Sequence, residues 1–278
     1  MTQLQTTRVS PADRSGSVFD YISASRLNLW IRCPLSFKLV YLDGIRAPRS
    51  PALFLGQRVH QGLEVWNRHR QLGAPIEPRA VADQMLSTWD QAVADEAITF
   101  ADAAEEESLR RQALDLVAAY LAAVDPNEPR PLAVETCLDA PLVDPATGED
   151  LGIKLLGVID LVLPDAAGVS IVDFKTAGKS GAPISMAHEV QLGAYAYLFR
   201  ATTGQRESEL QIRSLIKTKV PKVETHRYPA RTDAHFRRLF ALIREYLDAL
   251  DCGVFNYRPS WNCGSCDFRD THCPAWCG

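Results

Sequence analysis

Two carboxylates and a lysine stand at the ends of neighbouring β-prone runs in the middle of the chain. The run that begins at Gly157 ends in Asp160; after ten further residues a second run leads to Asp173, with Lys175 two positions later. Side chains two apart on a strand share a face, so Asp173 and Lys175 point the same way. If the runs pair as a hairpin across the turn 164–168, Asp160 approaches Asp173 closely enough to share a divalent cation. Such a set could hydrolyse a phosphodiester, because cations held by carboxylates offset the phosphate charge and generate hydroxide near neutral pH.

An isolated Asp-x-Lys motif also has a purely structural interpretation. Aspartate often ends a strand as a turn residue, and lysine on an edge strand often prevents aggregation. Short motifs of this kind recur by chance. The rest of the chain must therefore decide between the two interpretations.

Composition and charge indicate an ordinary soluble protein. The chain has 278 residues, of which 46% are hydrophobic, and its net charge is −4. It shows no apolar run near the roughly 20 residues of a membrane span and no signal-peptide pattern at its start, so a cytoplasmic location is expected, with no membrane partner. Because the chain is not basic overall, contact with nucleic acid would need a local patch. Arg213, Lys217, Lys219 and Lys222 form one candidate; a solvated strand edge is the alternative.

The cysteines cluster at the end of the chain. Cys263, Cys266, Cys273 and Cys277 follow the pattern C-x2-C-x6-C-x3-C, while Cys33 precedes Pro34 near the start. Without a secretion signal, such clustering indicates metal or iron–sulfur ligation rather than disulfides. The four tail thiolates could close a Zn²⁺ site, or Cys33 could join Cys263, Cys266 and Cys273 to hold a [4Fe-4S] cluster. The spacing does not choose between these.

The pattern of apolar residues predicts one mixed α/β body after a polar arm that ends near Ser17. A helix is expected over 26–41 with an interruption at Pro34, a second from Leu53, and two more between 80 and 123, followed by a linker at 125–131. Short strands and two helices are then expected; the strands are 132–138, 154–163, 169–174, 209–217 and 223–228, and the helices are 185–201 and 232–251.

Further residues are candidates to support the Asp160/Asp173 pair. Gln191 and Tyr195 lie four apart and so share one helical face. His60 is a candidate third metal ligand, since imidazole suits Mn²⁺-like cations, and Glu135 on the first predicted strand is a reserve ligand. Each of these residues, taken alone, is more often structural.

In their order along the chain, these motifs resemble one family. The succession Cys33-Pro34, Gly56-x3-His60, Gly157-x2-Asp160, Asp173-x-Lys175, Gln191-x3-Tyr195 and Cys263-x2-Cys266…Cys273-Pro274 is similar to a RecB-type nuclease of the PD-(D/E)XK superfamily. The members that it resembles include CRISPR adaptation nucleases and the iron–sulfur exonuclease domains of bacterial recombination helicase–nucleases. The resemblance spans about 23–274.

The resemblance implies a fold. It is an α/β, restriction-endonuclease-like core with a mixed central β-sheet flanked by helices, a helical N-terminal region and a Cys-rich staple at the C-terminus. A single domain over 1–278 is expected, with a mainly helical part at 17–130, a catalytic core at 131–230, and a final helix and cysteine cluster at 231–278.

The resemblance also implies roles for individual residues. Asp160, Asp173, His60 and the Phe174 carbonyl would bind Mg²⁺ or Mn²⁺, and Lys175 would orient or deprotonate the attacking water. Gln191 and Tyr195 would support the site and the DNA. Cys33 with Cys263, Cys266 and Cys273 would hold the [4Fe-4S] cluster, with Cys277 as a competing fourth ligand.

The expected function is a metal-dependent DNA exonuclease that acts on single strands or duplex ends in repair or recombination. A separate helicase or a recombination or CRISPR protein would be its partner, because no Walker A signature is present. Two alternatives are a non-catalytic module that binds DNA ends or a protein partner, and a zinc-stabilised nucleic-acid-binding protein in which the Asp-x-Lys motif is accidental.

Overall fold

A computed structural model describes residues 18–181, 183 and 186–277. The polar arm expected up to Ser17 lies outside these residues. No described helix is both long and apolar enough to cross a membrane.

The first helices follow their capping residues. Helix α1 (Ala24–Arg32) begins at Ser23, whose hydroxyl accepts from the Arg26 amide, and α2 (Pro34–Tyr41) begins at Pro34 directly after Cys33. The interruption expected at Pro34 is therefore confirmed, because proline is tolerated in the first helical turn but not in the interior. Helix α3 (Pro51–Leu72) begins after the N-cap Ser50.

Three helices, not the expected two, occupy the next region. They are α4 (Pro78–Ser87), α5 (Trp89–Asp95) and α6 (Ala103–Ala123). Thr88 leaves the helical conformation with φ −106° and ψ 0°, which separates α4 from α5. The expectation of two helices is thus wrong, because no glycine or proline announces that break.

The mixed sheet contains the short strand β1 (Tyr21–Ile22) and the longer strands β2 (Ala133–Val143), β3 (Asp150–Asp165), β4 (Gly168–Ala177), β5 (Glu209–Ile216) and β6 (Lys222–Pro229). β3 pairs with β2 along one edge, and with β1 and β4 along different parts of the other. β4 then pairs in parallel with β5, and β5 pairs antiparallel with β6. The expected hairpin of β3 and β4 is confirmed.

Helices cover both faces of this sheet. One hydrophobic core joins the sheet to α1, α7 (Met186–Thr203) and α8 (Asp233–Cys252), and a second joins it to α3, α4, α5 and α6. A 3-10 turn (Trp261–Ser265) and the short α9 (Pro274–Cys277) end the chain. The expected mixed sheet between helical layers, with a helical N-terminal region, is confirmed; Ser185, the expected start of α7, lies outside the described residues.

Candidate active site

The two aspartates lie where β3 and β4 separate. The paired stretch of the hairpin reaches Leu161 and Val172, one residue short of Asp160 and Asp173. The Asp160 carboxylate bridges the opening, since its Oδ2 accepts a hydrogen bond from the Phe174 amide at 2.7 Å. Both carboxylates are buried, with 7% and 1% exposure. The point where the two strands separate therefore holds two buried carboxylates in a low-dielectric environment.

Glu135, on β2, completes the carboxylate cluster. Its neighbours Val134 and Thr136 pair with Leu161 and Ile159, which places Glu135 opposite Asp160. Its φ of 43° lies in the left-handed region, which residues other than glycine rarely adopt. Such strain persists only where surrounding structure enforces it, and it concentrates at functional sites.

His60, on α3, faces these carboxylates. Its Nδ1 lies 3.7 Å from Asp160 Oδ2 and 3.8 Å from Glu135 Oε1. Across the part of the chain that the structure describes, His60, Glu135 and Asp160 are the one group of three or more His, Cys, Asp or Glu residues whose ligand atoms all lie within 4.8 Å of one another. From the sequence, Glu135 is only a reserve candidate for a metal ligand. Its position opposite Asp160 depends on the register between β2 and β3, which the sequence does not show.

Asp173 lies outside that group and is held by a second set of contacts. Its Oδ1 accepts hydrogen bonds from Lys175 Nζ and Gln191 Nε2, both at 2.9 Å, and the Gln191 amide also donates to the Tyr195 hydroxyl at 2.7 Å. Asp173 Oδ2 accepts no hydrogen bond from a described residue, although Lys175 Nζ lies 2.8 Å away. The Lys175 ammonium thus stands within 2.9 Å of both Asp173 oxygens and pairs with this buried carboxylate.

Gly157 lets α7 approach the sheet at the site. A Cβ at this position would lie 2.8 Å from Leu198 Cδ1 and 3.5 Å from Tyr195 Cε1. A Cβ here would force the end of the Leu198 side chain to move, because 2.8 Å is closer than packed atoms tolerate. The glycine of the Gly-x-x-Asp pattern thus leaves room for Leu198 and Tyr195 of α7 against β3.

The electrostatics of the cluster favour positive charge next to its carboxylates. Burial lowers the pKa of His60, but Asp160 and Glu135 outweigh it and raise the value to about 9. Burial raises the pKa of Asp160 and raises that of Asp173 to about 6, and a neighbouring carboxylate adds to each increase. Buried carboxylates of this kind are stabilised by a bound cation. Two or three carboxylates and one imidazole suit Mg²⁺ or Mn²⁺, so the residues present fit the expected metal.

Phe174 connects the site to the opposite face of the sheet. Its amide caps Asp160, and its buried ring packs edge-on against His60 and Tyr120. The role of its carbonyl as a metal ligand stays a prediction.

One of the four residues of the expected basic patch is buried rather than on the surface. Arg213 is buried, pairs with Glu128 and donates to the Tyr120 hydroxyl at 3.2 Å, so it contributes no surface charge and its inclusion was wrong. Lys217 and Lys219 lie on the connection between β5 and β6, and Lys222 pairs with Glu224 at 2.9 Å. The three lysines stay candidates for contact with DNA.

The cysteines from the two ends of the chain meet in space. A cavity of about 340 Å³ is lined by Cys33, Cys263, Cys266 and Cys273. Burial raises the pKa of the Cys33 thiol, but hydrogen bonds from the Ser36 and Arg258 backbone outweigh it and lower the value, which favours the metal-binding thiolate. The side chain of Cys277 lies outside the described residues. The cavity thus offers several cysteine side chains to one ligand.

Comparisons with known proteins agree with this geometry. A model of the PD-(D/E)XK nuclease superfamily matches residues 21–274. The crystal structure of a candidate exonuclease from Eubacterium rectale aligns with a TM-score of 0.62 and 16% identity over 96% of this chain and 94% of its own. A structure named SSO0001 aligns with a TM-score of 0.45 and 16% identity over 92% of this chain and 87% of its own. No curated protein matches significantly. The match over most of the chain shows that this protein belongs to the PD-(D/E)XK nuclease superfamily.

Proposed function

We propose that the chain is a divalent-metal-dependent deoxyribonuclease that degrades DNA from free ends, with single strands as its substrate. The observation that carries this proposal is the group formed by His60, Glu135 and Asp160. Glu135 and Asp160 line a cavity of about 860 Å³ together with Lys175, and His60 lines the neighbouring cavity along α3. These residues match what phosphodiester hydrolysis requires.

His60, Glu135 and Asp160 would hold Mg²⁺ or Mn²⁺, and Asp173, which pairs with Lys175 in the structure, would join them. When bound, the metal supplies positive charge at the phosphate and lowers the pKa of a coordinated water. Gln191 keeps Asp173 in place. The Lys175 ammonium, whose side chain is 31% exposed, is close enough to the site to neutralise phosphate charge or to orient the attacking water. Burial raises the pKa of Tyr195 well above its usual value, so this hydroxyl stays protonated and supports Gln191.

Action on free ends draws support from the family resemblance and from the candidate exonuclease that shares this fold. The test is digestion of end-labelled single-stranded, duplex and circular DNA with Mg²⁺ or Mn²⁺. We expect degradation of linear single strands and its loss in Asp173→Ala and Lys175→Ala. Cleavage of circles would contradict exonuclease action. Binding without cleavage would favour a DNA-end-binding module, and retained cleavage in both variants would refute the site.

We further propose that Cys33, Cys263, Cys266 and Cys273 hold a [4Fe-4S] cluster that ties the first helices to the end of the chain. In a tetrahedral zinc site the thiolate sulfurs stand about 3.8 Å apart, as Zn–S bonds of about 2.3 Å dictate. No three cysteines among the described residues gather their sulfurs within 4.8 Å. A larger ligand in the cavity fits this wider spacing better than one zinc ion.

The colour and metal content of anaerobically purified protein test this proposal. We expect a brown protein containing iron, and Cys33→Ser should lose both the colour and thermal stability. A colourless protein that contains zinc would contradict the cluster. Cys277→Ser serves as the matched control, because it removes a thiol outside the proposed set.

A further inference from the structure

The catalytic residues lie at the junction of two cavities. The first, of about 860 Å³, lies beside the start of α1 and the connection between α2 and α3; we call it the α1-side cavity. The second, of about 590 Å³, lies along α3; we call it the α3-side cavity. Glu135 and Lys175 line both. The site is therefore open on two sides rather than closed at one end.

An arginine without a partner lines the α1-side cavity. Arg46 is exposed and makes no hydrogen bond or ion pair with any other described residue. Its neighbour Arg49 differs, since its guanidinium is paired with Glu96 at 2.6 Å. The N-terminal residues of α1, from Ser23 to Ser25, line the same cavity and direct the positive end of that helix towards it. An anion beside Arg46 would meet a guanidinium that no described residue neutralises.

A partly buried arginine lines the α3-side cavity. Arg58 lies on α3 two residues before His60, and its guanidinium stands 5.3 Å from the centre of the Phe54 ring. Its Nε is buried without a hydrogen-bond partner among the described residues. Burial lowers the pKa of Arg58, and Glu96, already paired with Arg49, is the one carboxylate that opposes this effect. Burial of a guanidinium with so little compensating charge is costly, so an anionic ligand in the cavity would stabilise it.

We propose that a single DNA strand crosses the active site from the α1-side cavity to the α3-side cavity. Arg46 and Arg58 then hold the backbone phosphates on opposite sides of the phosphate that is cut. This inference rests on the proposed nuclease function and adds the course of the strand and two phosphate-binding residues. Phosphate contacts of this kind fix the register of a strand without selecting its sequence.

The first test measures binding of an end-labelled single strand in divalent-free buffer over a range of salt concentrations. Each phosphate contact on a single strand contributes about 0.7 to the slope of log affinity against log salt. We expect Arg46→Ala and Arg58→Ala each to reduce the slope by about that amount, and the double variant to reduce it twice as much. Arg237→Ala, on α8 and outside both cavities, is the matched control and should leave the slope unchanged.

Charge must be separated from packing at Arg58, because its side chain is partly buried. Arg58→Lys keeps the positive charge and should retain most of the slope that Arg58→Ala loses. Unchanged slopes in both alanine variants, or an equal loss in Arg58→Lys and Arg58→Ala, would overturn the assignment.

The second test locates the two contacts relative to the cut. Two substrates are compared, each with a single uncharged methylphosphonate linkage, one on each side of the cleaved position, and the cleavage rate is measured with Mn²⁺. Either linkage should slow cleavage by the wild type. Cleavage by Arg46→Ala should be insensitive to one linkage, and cleavage by Arg58→Ala to the other. Loss of sensitivity to the same linkage in both variants would overturn the crossing path while leaving the nuclease intact. If the wild type shows the expected binding slopes but no cleavage, the proposed nuclease function fails and the binding path remains.

Discussion

The substitution Asp173→Asn should inactivate the protein and stabilise its metal-free form. Burial and the neighbouring Asp160 raise the pKa of Asp173 to about 6, from the usual 3.8, despite the compensating Lys175. At pH 8 Asp173 is ionised in both states, but its ionisation costs more free energy in the folded protein than in the unfolded chain, so it lowers the stability of the fold. A difference of about 2 pK units corresponds to about 3 kcal/mol of unfolding free energy. Asparagine keeps the shape and removes that penalty, while Lys175 is exposed enough to regain hydration.

The pH dependence gives this prediction its sign. The folded pKa lies above the unfolded one, so the gain from Asp173→Asn is complete above pH 6 and disappears as the pH falls towards 3.8. Thermal unfolding in divalent-free buffer at pH 8 and pH 4 measures it, with about 2–4 °C expected per kcal/mol for a chain of this size. Asp139→Asn, which changes an exposed carboxylate paired with Lys154, is the control and should have little effect. A variant less stable than the wild type at pH 8 would refute the reasoning.

Three further substitutions test other parts of the structure. Glu135→Gln should weaken the stabilisation of the folded protein by Mn²⁺. For the wild type this stabilisation reaches about 2.7 kcal/mol when the Mn²⁺ concentration is one hundred times the dissociation constant. An unchanged thermal shift with Mn²⁺ would show that Glu135 does not bind the metal. Gly157→Ala should cost about 1–3 kcal/mol in urea unfolding and slow cleavage, because its methyl group would meet Leu198 on α7; full activity and stability would show that α7 is not held at this contact. Glu207→Gln should lower the free energy of unfolding by about 3–5 kcal/mol without changing the affinity for Mn²⁺, because this buried carboxylate accepts two hydrogen bonds from Arg200 at 2.7 Å. A loss below 1 kcal/mol would contradict this structural role.

Local rules in the sequence predicted much of the architecture. The twofold alternation of a strand placed Asp173 and Lys175 together, and the turn after Pro164 predicted the hairpin of β3 and β4. Pro34 predicted the break between α1 and α2. Each of these features depends on residues close in the chain.

The features that sequence reasoning missed depend on distant pairings. Glu135 joins His60 because β2 pairs in one register with β3, and no local pattern reveals that register. Arg213 looked like surface charge because its partner Glu128 stands 85 residues earlier in the chain. The close approach of α7 explains Gly157 only once the packing is known.

The most direct test of the proposed active site is the Mn²⁺ dependence of cleavage by the wild type and by Asp160→Asn. Asp160 joins His60 and Glu135 and also caps the Phe174 amide, so it lies at the centre of the proposed chemistry. Degradation of a linear, end-labelled single strand is followed as Mn²⁺ is titrated, while circular dichroism verifies folding. We expect saturable, Mn²⁺-dependent degradation by the wild type and none above background by folded Asp160→Asn. Equal degradation by both proteins would contradict the proposed active site.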